Sequence, residues 1–315
     1  MTSVIEIEGL RKTYRSGIRR KGIDALNGLD LSVAGNEIFG FLGPNGAGKT
    51  TTLKILVGLL FPSSGNARVL GKPLRDLSVL SRIGFLPESP HFYEYLTCKE
   101  LLDFYCRLFR IQKAERSKRV DALLLDVGLE NAADLQVRKL SQGMRQRLGI
   151  AQALINDPEL IFLDEPMSGL DPVGRRKIRD MIHGLKSRGK TVFFSSHILQ
   201  DAELLCDQVA IIRKGRLVTQ GKLQDILAPK QASYEAVLTD IPDAAIESLS
   251  RVSESLDKRD DRLHLVISGR DNLLAAQRIV VDSNGAIDSL AKTRGSLEDT
   301  FIEFIEQGLE GGKAG

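Results

Sequence analysis

The sequence has 315 residues, of which 42% are hydrophobic and 27% charged, the composition of a soluble globular protein with enough apolar material for a large core. The apolar residues form no run of about 18, and the first residues lack the basic-then-apolar order of a secretion signal, so the sequence predicts a cytoplasmic protein without a transmembrane helix. The net charge of +3 is uneven: residues 1–224 hold 34 Lys and Arg against 24 Asp and Glu, and residues 225–315 hold 10 against 17, which predicts a domain boundary near residue 225. The basic first part suits a nucleotide or an anionic membrane surface, but ordinary solvated charge explains it equally well.

The chain begins with short strand signals. Val4 to Glu8 alternates apolar and acidic residues, which predicts an edge strand, and Leu29 to Val33 alternates again. The apolar run Ile38 to Leu42 predicts a buried strand, and Lys49 to Leu59 has the apolar spacing of a helix.

A glycine-rich loop joins that buried strand to that helix and fits the pattern G-x-x-x-x-G-K-[ST]. It consists of Gly43, Pro44, Asn45, Gly46, Ala47, Gly48, Lys49, Thr50 and Thr51. The glycines allow the loop to curl with its N–H groups inward, and together with the start of the helix these groups form an anion site. Lys49 then supplies a positive charge for the outer phosphates, and the Thr50 hydroxyl is placed to bind Mg²⁺. A turn that merely connects strand to helix is the alternative.

The middle of the chain is predicted to be helical. From Thr97 to Ala153 apolar residues recur at helical spacing without a strand signal, so this stretch predicts a helical insertion into an α/β core. Ser141 is a good N-cap for its last helix, which runs through Leu154.

Polar residues follow two further strand signals. The continuous apolar run Leu160 to Leu163 predicts a strand of a parallel sheet buried on both faces, and Thr191 to Phe194 predicts a strand because it is rich in β-branched and aromatic residues. Asp164 and Glu165 come directly after the first run, and His197 follows the second. Carboxylates at the carboxyl ends of such strands meet ligands, although solvation at a loop is the alternative.

A second unit is predicted after residue 225. Tyr234 to Leu238 and Leu263 to Ile267 alternate as strands do, and Ala244 to Leu249 and Asn272 to Val281 are helical in pattern. Ser296 to Asp299 resembles a capping box before an apolar stripe. This order predicts a small α+β domain of ferredoxin-like type.

Five features stand in one order: Gly43–Thr50, Leu140–Met144, Leu160–Glu165, Ser168–Asp171 and His197. This combination closely resembles the ATP-binding cassette (ABC) ATPases that drive ABC transporters. The C-terminal unit looks like the appendage on cassettes of the type-2 ABC exporter branch, which includes drug, polysaccharide and lipid exporters.

The resemblance implies an architecture. We expect an α/β P-loop NTPase cassette at residues 1–224, with a helical subdomain at about 97–155, followed by an accessory α+β, ferredoxin-like domain at 225–315. The cofactors it implies are ATP and Mg²⁺.

The resemblance also implies roles for single residues. Asp164 matches the carboxylate that holds Mg²⁺, directly or through water, and Glu165 matches the general base for the attacking water. His197 matches the histidine that contacts the γ-phosphate, and it joins Glu165 and Lys49 as an expected catalytic residue. Tyr14 matches the aromatic residue that stacks on adenine, although simple packing is the alternative.

In the family, Ser141 and Gly143 at the start of a helix bind the phosphate held by the other subunit's loop. Asp171 is expected at that same interface. Because this chain has one phosphate loop and one such signature, it must pair with a second ATP-binding chain, and a homodimer is expected.

The sequence departs from the family in two places. The common signature Leu-Ser-Gly-Gly-Gln is here Leu-Ser-Gln-Gly-Met, so Gln142 and Met144 put the finer interface contacts in doubt. The family's Mg²⁺-sensing Gln is replaced by Glu88, which can still bind a hard cation through oxygen. The alternative for Glu88 is a solvent-facing loop residue.

The function that follows is an ATP-binding and ATP-hydrolysing subunit of an ABC export complex. It would work through separate membrane-spanning permease subunits, at the inner face of the cell membrane, without nucleic acid. A cytosolic ABC ATPase acting on nucleic acid or the ribosome is the alternative, but such proteins usually carry two cassettes or a long coiled coil. A regulatory subunit that does not hydrolyse ATP is disfavoured because Lys49, Asp164, Glu165 and His197 are all present.

Overall fold

The computed structural model describes residues 3–15, 22–227, 233–259, 261–293 and 297. By its internal contacts the chain divides into two units, Met1–Leu223 and Gln224–Gly315. The described strands are β1 (Ser3–Tyr14), β2 (Ile23–Ala34), β3 (Ile38–Leu42), β4 (Ser64–Val69), β5 (Lys72–Pro73), β6 (Ile83–Leu86), β7 (Leu160–Asp164), β8 (Thr191–Ser196), β9 (Gln208–Arg213), β10 (Arg216–Lys222), β11 (Ser233–Thr239), β12 (Ser255–Arg259), β13 (Arg262–Ser268) and β14 (Ala286–Thr293). The described α-helices are α1 (Lys49–Leu56), α2 (Leu77–Leu80), α3 (Cys98–Leu108), α4 (Lys113–Asp126), α5 (Gln142–Ala153), α6 (Pro172–Ser187), α7 (Leu199–Glu203), α8 (Leu223–Ile226), α9 (Asp243–Val252) and α10 (Arg270–Asp282).

A six-stranded sheet of order β10-β9-β3-β8-β7-β6 forms the centre of the first unit. Its neighbouring strands from β9 to β6 are parallel, and β10 adds an antiparallel edge. Every residue of β3, β7 and β8 is buried, which confirms the burial predicted for β3 and β7. Phe39 of β3 stacks on Phe193 of β8 with ring centroids 5.5 Å apart. This sheet brings the ends of β3, β7 and β8 together at one edge.

A second, antiparallel sheet has the order β2-β1-β4-β5. The prediction that the first strand is an edge strand is wrong, because β1 pairs with β2 on one side and β4 on the other. The alternation in sequence is real: Ile5 and Ile7 are buried, whereas Glu6 and Glu8 are exposed. Alternation reports which face of a strand meets water, and it carries no information about its two hydrogen-bonding sides.

The predicted helical stretch is confirmed. It contains α3, α4 and α5, and the only β pairing among its described residues is an isolated bridge between Thr97 and Gln136. Thr97 caps α3 in a reciprocal box with Glu100, which satisfies backbone N–H groups that the first helical turn leaves free. Among the described residues, every helix is too short or too polar to cross a bilayer.

The second unit has the order strand, helix, strand, strand, helix, strand, with sheet order β12-β13-β11-β14 and antiparallel neighbours throughout. This is the ferredoxin-like arrangement that the sequence predicts. Helices α9 and α10 contribute Leu249, Ala276 and Val280 to one core with buried residues of β11 and β13. The predicted capping box and the apolar stripe after it lie outside the described residues, apart from Leu297, which is buried.

Candidate active site

The glycine-rich loop between β3 and α1 owes its shape to three glycines. A Cβ on Gly43 would collide with the carbonyl oxygen of Ile212 in β9, and one on Gly48 would lie 2.6 Å from that of Ala25 in β2. Gly46 (φ 78°) and Gly48 (φ 110°) also have left-handed backbones that glycine adopts without strain. The loop is therefore pressed against two neighbouring strands and ends at the N-terminus of α1.

The ammonium group of Lys49 is buried among oxygen atoms. Its Nζ donates to the carbonyl oxygens of Gly43 (2.7 Å) and Pro44 (3.3 Å), and it lies 3.1 Å from Glu165 Oε1. Only 5% of Lys49 is exposed. These acceptors can take up all three N–H donors of Lys49, so a phosphate would bind by replacing some of them and would form the stronger, charge-assisted hydrogen bonds.

Asp164, the last residue of β7, lies beside the first turn of α1. Its Oδ1 accepts hydrogen bonds from Thr50 Oγ1 at 3.2 Å and from Ser195 Oγ at 2.6 Å. Burial raises the pKa of Asp164 above its ordinary value, and these two hydrogen bonds oppose the shift. The hydroxyl of Thr50 and the carboxylate of Asp164 thus bring two hard oxygen donors to one point, as the sequence predicts.

Glu165 follows directly and has an unusual backbone. Its φ is 49°, a left-handed conformation that costs a residue with a side chain some strain and persists only where its surroundings hold it. Its N–H donates to Ser195 Oγ (3.0 Å), and its Oε2 lies 2.8 Å from His197 Nδ1. Lys49, Glu165 and His197 therefore form one connected group, although they come from three separate elements.

A cavity of 440 Å³ opens over Lys49 and Glu165. It is lined by Asn45 to Thr51, by Glu165 and by Tyr14, whose hydroxyl lies 3.3 Å from Thr51 Oγ1. Gly43 and Pro44 contribute through the carbonyl oxygens that bind Lys49. Tyr14 is 42% exposed, so its ring is not part of the core. The cavity is thus bordered by the aromatic side chain of Tyr14 and by the glycine-rich loop.

Glu88, an exposed residue two positions beyond β6, lines this cavity and also a neighbouring cavity of 540 Å³. Thr50 lines both cavities as well, and Asp164 lines the second. Glu88 thus lines the same two cavities as Thr50, one of the residues predicted to bind Mg²⁺.

Three predicted residues lie apart from this group. Neither cavity is lined by Ser141, Gly143 or Asp171 among the residues that the structure describes. Ser141 caps α5 by accepting from the N–H of Met144, and Asp171 caps α6 by accepting from that of Gly174. A Cβ on Gly143 would lie 3.7 Å from the side chain of Leu170, so these two helix starts adjoin each other. The predicted ATP ligands thus fall into two groups.

Ser195 is a residue that the sequence interpretation did not single out. It ends the apolar run of β8 and precedes His197 by two positions, so the one available signal was a polar residue at the carboxyl end of a parallel strand. Its two contacts with Asp164 and Glu165 depend on the pairing of β7 with β8, which periodicity alone does not give.

Comparison with known proteins places this site in a family. A sequence model of the ABC transporter family matches residues 26–168. An uncharacterised ABC transporter ATP-binding protein of Synechocystis sp. is 43% identical over 97% of this chain and 85% of its own length. The bacitracin transport ATP-binding protein BcrA of Bacillus licheniformis is 36% identical over 99% of this chain and 100% of its own. The Nod factor export ATP-binding protein I of Cupriavidus metallidurans is 35% identical over 96% of this chain and 98% of its own.

Solved structures of ABC cassettes are also similar to this chain. The dimeric, post-hydrolysis form of the ATP-binding cassette MJ0796, bound to ADP and Pi, is 28% identical and superposes with a TM-score of 0.64, covering 70% of this chain and 98% of that one. The cbiO1 protein of Clostridium perfringens, part of the cbiONQ ABC transporter complex, is 29% identical with a TM-score of 0.65, covering 72% and 92%. The chain therefore belongs to the ATP-binding proteins of ABC transporters, and it is an ATPase.

Proposed function

We propose that this chain is the ATP-hydrolysing subunit of an ABC export complex, in which it works as a homodimer with separate membrane-spanning permease subunits at the inner face of the membrane. The relatives named for Nod factor export and bacitracin transport support this proposal, because the likeness to them extends over nearly the whole of both chains. The dimeric cassette MJ0796 supports the pairing of two such chains.

The observation that carries the catalytic proposal is the connected group of Lys49, Glu165 and His197. In the proposed mechanism the Glu165 carboxylate accepts a hydrogen bond from water and orients it in line with the γ-phosphate. Lys49 binds the β- and γ-phosphates, and His197 contacts the γ-phosphate while its ring holds Glu165 in place. Because Lys49 and Glu165 are buried, their charges act in a medium of low dielectric constant and need little rearrangement during the reaction.

The residues present fit a magnesium ion. Thr50 Oγ1 and Asp164 Oδ1 are oxygen donors 3.2 Å apart, and the carboxylate of Glu88 lines the same cavity as both. Within the described residues no group of three or more His, Cys, Asp or Glu side chains is gathered for a metal. Mg²⁺ keeps several water ligands and is usually held by one or two carboxylates plus substrate phosphates, so this sparse donor set suits it. The ion would neutralise negative charge on the phosphates.

ATP would occupy the 440 Å³ cavity, with its adenine against Tyr14 and its phosphates on the N–H groups of the loop. Ser141, Gly143 and Asp171 do not line this cavity but lie at the starts of two adjoining helices, and the first turn of α5 has N–H groups without helical partners. We therefore assign them to the ATP of the partner subunit. A head-to-tail pair of chains would then build two complete sites.

The test is the variant Glu165→Gln, which removes the proposed base and keeps the volume of the side chain. We expect it to bind ATP, to hydrolyse it about 100-fold more slowly or worse, and to accumulate as an ATP-bound dimer. Phosphate release and sedimentation of the purified chain measure the two effects.

The matched control is Glu159→Gln, which alters an exposed carboxylate just before the same strand and breaks only an ion pair with Arg82. Its ATPase rate should equal that of the wild type, because exposed ion pairs contribute little. Near-normal turnover by Glu165→Gln would remove Glu165 from the role of base.

A further inference from the structure

Ser195 occupies a position that the pairing of two strands creates. In the parallel register of β7 and β8 it stands directly opposite Asp164, so the two side chains lie next to each other at the carboxyl edge of the sheet. Ser195 is fully buried. Because Ser195 has no exposed surface, it can act on ATP only through other residues.

One hydroxyl group makes both contacts of Ser195. The N–H of Glu165 can only donate, so Ser195 Oγ accepts this bond (3.0 Å) and its own proton is free for Asp164 Oδ1 (2.6 Å). The direction of both bonds is thereby fixed. A hydroxyl is the smallest side-chain group that can accept from one of these neighbours and donate to the other.

We propose that Ser195 is a positioning residue that holds the Asp164 carboxylate for the metal and the Glu165 backbone for the general base through this single hydroxyl. The inference rests on the roles proposed above for Asp164 and Glu165. It adds a residue that connects Asp164, the proposed metal ligand, with Glu165, the proposed general base.

The contact of Ser195 with Asp164 involves no other proposed metal ligand. Asp164 Oδ1 has two donors, Thr50 and Ser195, and Thr50 is itself a proposed metal ligand. A Thr50 oxygen that gives a lone pair to the metal would keep its proton, but the metal would then set the position of its hydroxyl. Ser195 is fully buried, so it would not bind the metal itself and would keep its bond to Asp164, as the outer partners of metal ligands commonly do.

The Glu165 contact holds a strained turn. With φ at 49°, Glu165 keeps this conformation only if its surroundings determine it. Its side chain is held by Lys49 and His197, both of which are also proposed to contact the phosphates of ATP. The bond from its N–H to Ser195 does not involve any proposed ATP ligand, so it can hold the backbone of Glu165 throughout the reaction.

The test compares Ser195→Ala and Ser195→Cys with Thr191→Val in the full chain. Cysteine keeps nearly the volume of serine but is a weak hydrogen-bonding group, so it carries the test if the alanine variant does not fold. Thr191 is the matched control, because it lies on the same strand and is buried, and its Oγ1 also accepts a backbone N–H, that of Asn36 at 2.8 Å. Its place at the opposite end of β8 separates it from both carboxylates.

Binding of a fluorescent ATP analogue, in EDTA and across a Mg²⁺ titration, is the measurement that does not depend on turnover. We expect both Ser195 variants to keep the affinity measured in EDTA and to need about 10- to 100-fold more Mg²⁺ for the half-maximal effect. At saturating Mg²⁺ their kcat should fall about tenfold or more with KM for ATP little changed, because a displaced base affects the transition state and not substrate binding. Thr191→Val should match the wild type in all of these measurements.

The proposal is overturned if the Ser195 variants have the same Mg²⁺ response and the same kcat as the wild type. It is also overturned if Thr191→Val loses as much Mg²⁺ response and kcat as the Ser195 variants do. Asp164→Asn separates this inference from the proposed function. A wild-type Mg²⁺ response in Asp164→Asn overturns the metal role of Asp164 and with it the basis for Ser195. If Asp164→Asn loses the Mg²⁺ response while Ser195→Ala behaves as the wild type does, only the role of Ser195 is overturned.

Discussion

At position 88 a carboxylate stands where the ABC family usually has an amide, and the structure puts it beside the proposed metal ligands. Glu88 shares one cavity with Asp164 and another with Glu165. Two opposite effects follow from its charge. An anionic oxygen binds Mg²⁺ more strongly than a neutral amide does, whereas a carboxylate repels the γ-phosphate. Because Glu88 is exposed, water screens the repulsion, and a metal between the two groups offsets more of it.

We therefore expect Glu88→Gln to raise the Mg²⁺ concentration needed for half-maximal ATPase activity. A Mg²⁺ titration of the ATPase rate, at fixed ATP, measures the effect. The control is Glu94→Gln, an exposed carboxylate six positions later that pairs with Arg145 and lines neither cavity. Superimposable curves for Glu88→Gln and the wild type would make Glu88 an ordinary loop residue and remove it from the metal site.

At the scale of single elements, the starts of α5 and α6 carry the residues that we assign to the ATP of the partner subunit. Each start is capped by its own side chain, Ser141 or Asp171, through a bond to the N–H three residues further on. At α5 the N–H groups of Gln142 and Gly143, together with the positive end of the helix dipole, favour an anion. The anion we propose there is the phosphate group of an ATP held by the partner subunit.

We expect Ser141→Ala to keep the ATP affinity of the single chain and to weaken ATP-dependent dimerisation. Sedimentation with ATP, in the Glu165→Gln background that prevents turnover, measures dimer formation. The change also removes an N-cap, which costs a helix about 1 kcal/mol. Thr97→Ala controls for that cost, because it removes the N-cap of α3 in the same helical region. Full dimer formation by Ser141→Ala would contradict a site shared between chains.

The elements also show what the sequence could predict. Strands β3 and β7 and helix α5 agree with their predicted bounds within a residue or two, because long apolar runs and a serine cap are local signals. Strands β12 and β14 were missed, since β12 is almost wholly exposed and the apolar Ile287 and Leu290 of β14 are about 40% exposed. Such strands are held by pairing with β13 and β11, and a local pattern does not contain that information.

The same limit applies to the site. The motifs pointed to the residues now found together around Lys49, because each follows a strand and parallel strands end at one edge. The contact of Ser195 with Asp164 and the left-handed backbone of Glu165 depend on register and on turn geometry. No spacing in a single sequence reports either of them.

At the scale of the whole molecule, the two units differ in content. The first unit has its own core, which includes Phe39, Phe162 and Phe193 of the central sheet. Every described residue that lines the two cavities at the loop belongs to this unit. The second unit has a separate core between its sheet and two helices, and an excess of acidic residues. Phosphate-binding chemistry is thus confined, among the described residues, to the first unit.

We propose that the second unit is an accessory domain that ATP binding does not require. A chain ended after Ile226, the last residue of α8, should fold and bind ATP with a Kd within about threefold of the full chain, a difference below about 1 kcal/mol. We expect the loss of the second unit to weaken the dimer or its docking to the permease.

Circular dichroism and thermal melting establish that the shortened chain is folded, and titration with a fluorescent ATP analogue gives its Kd. Lys49→Ala in the shortened chain is the matched control: it removes the buried charge that faces the phosphates, so binding that survives it is not binding at the loop. A shortened chain that is folded yet has lost ATP binding would mean that residues beyond 226 help to form the nucleotide site. Every described residue that lines the two cavities at the loop precedes residue 226, which argues against that outcome.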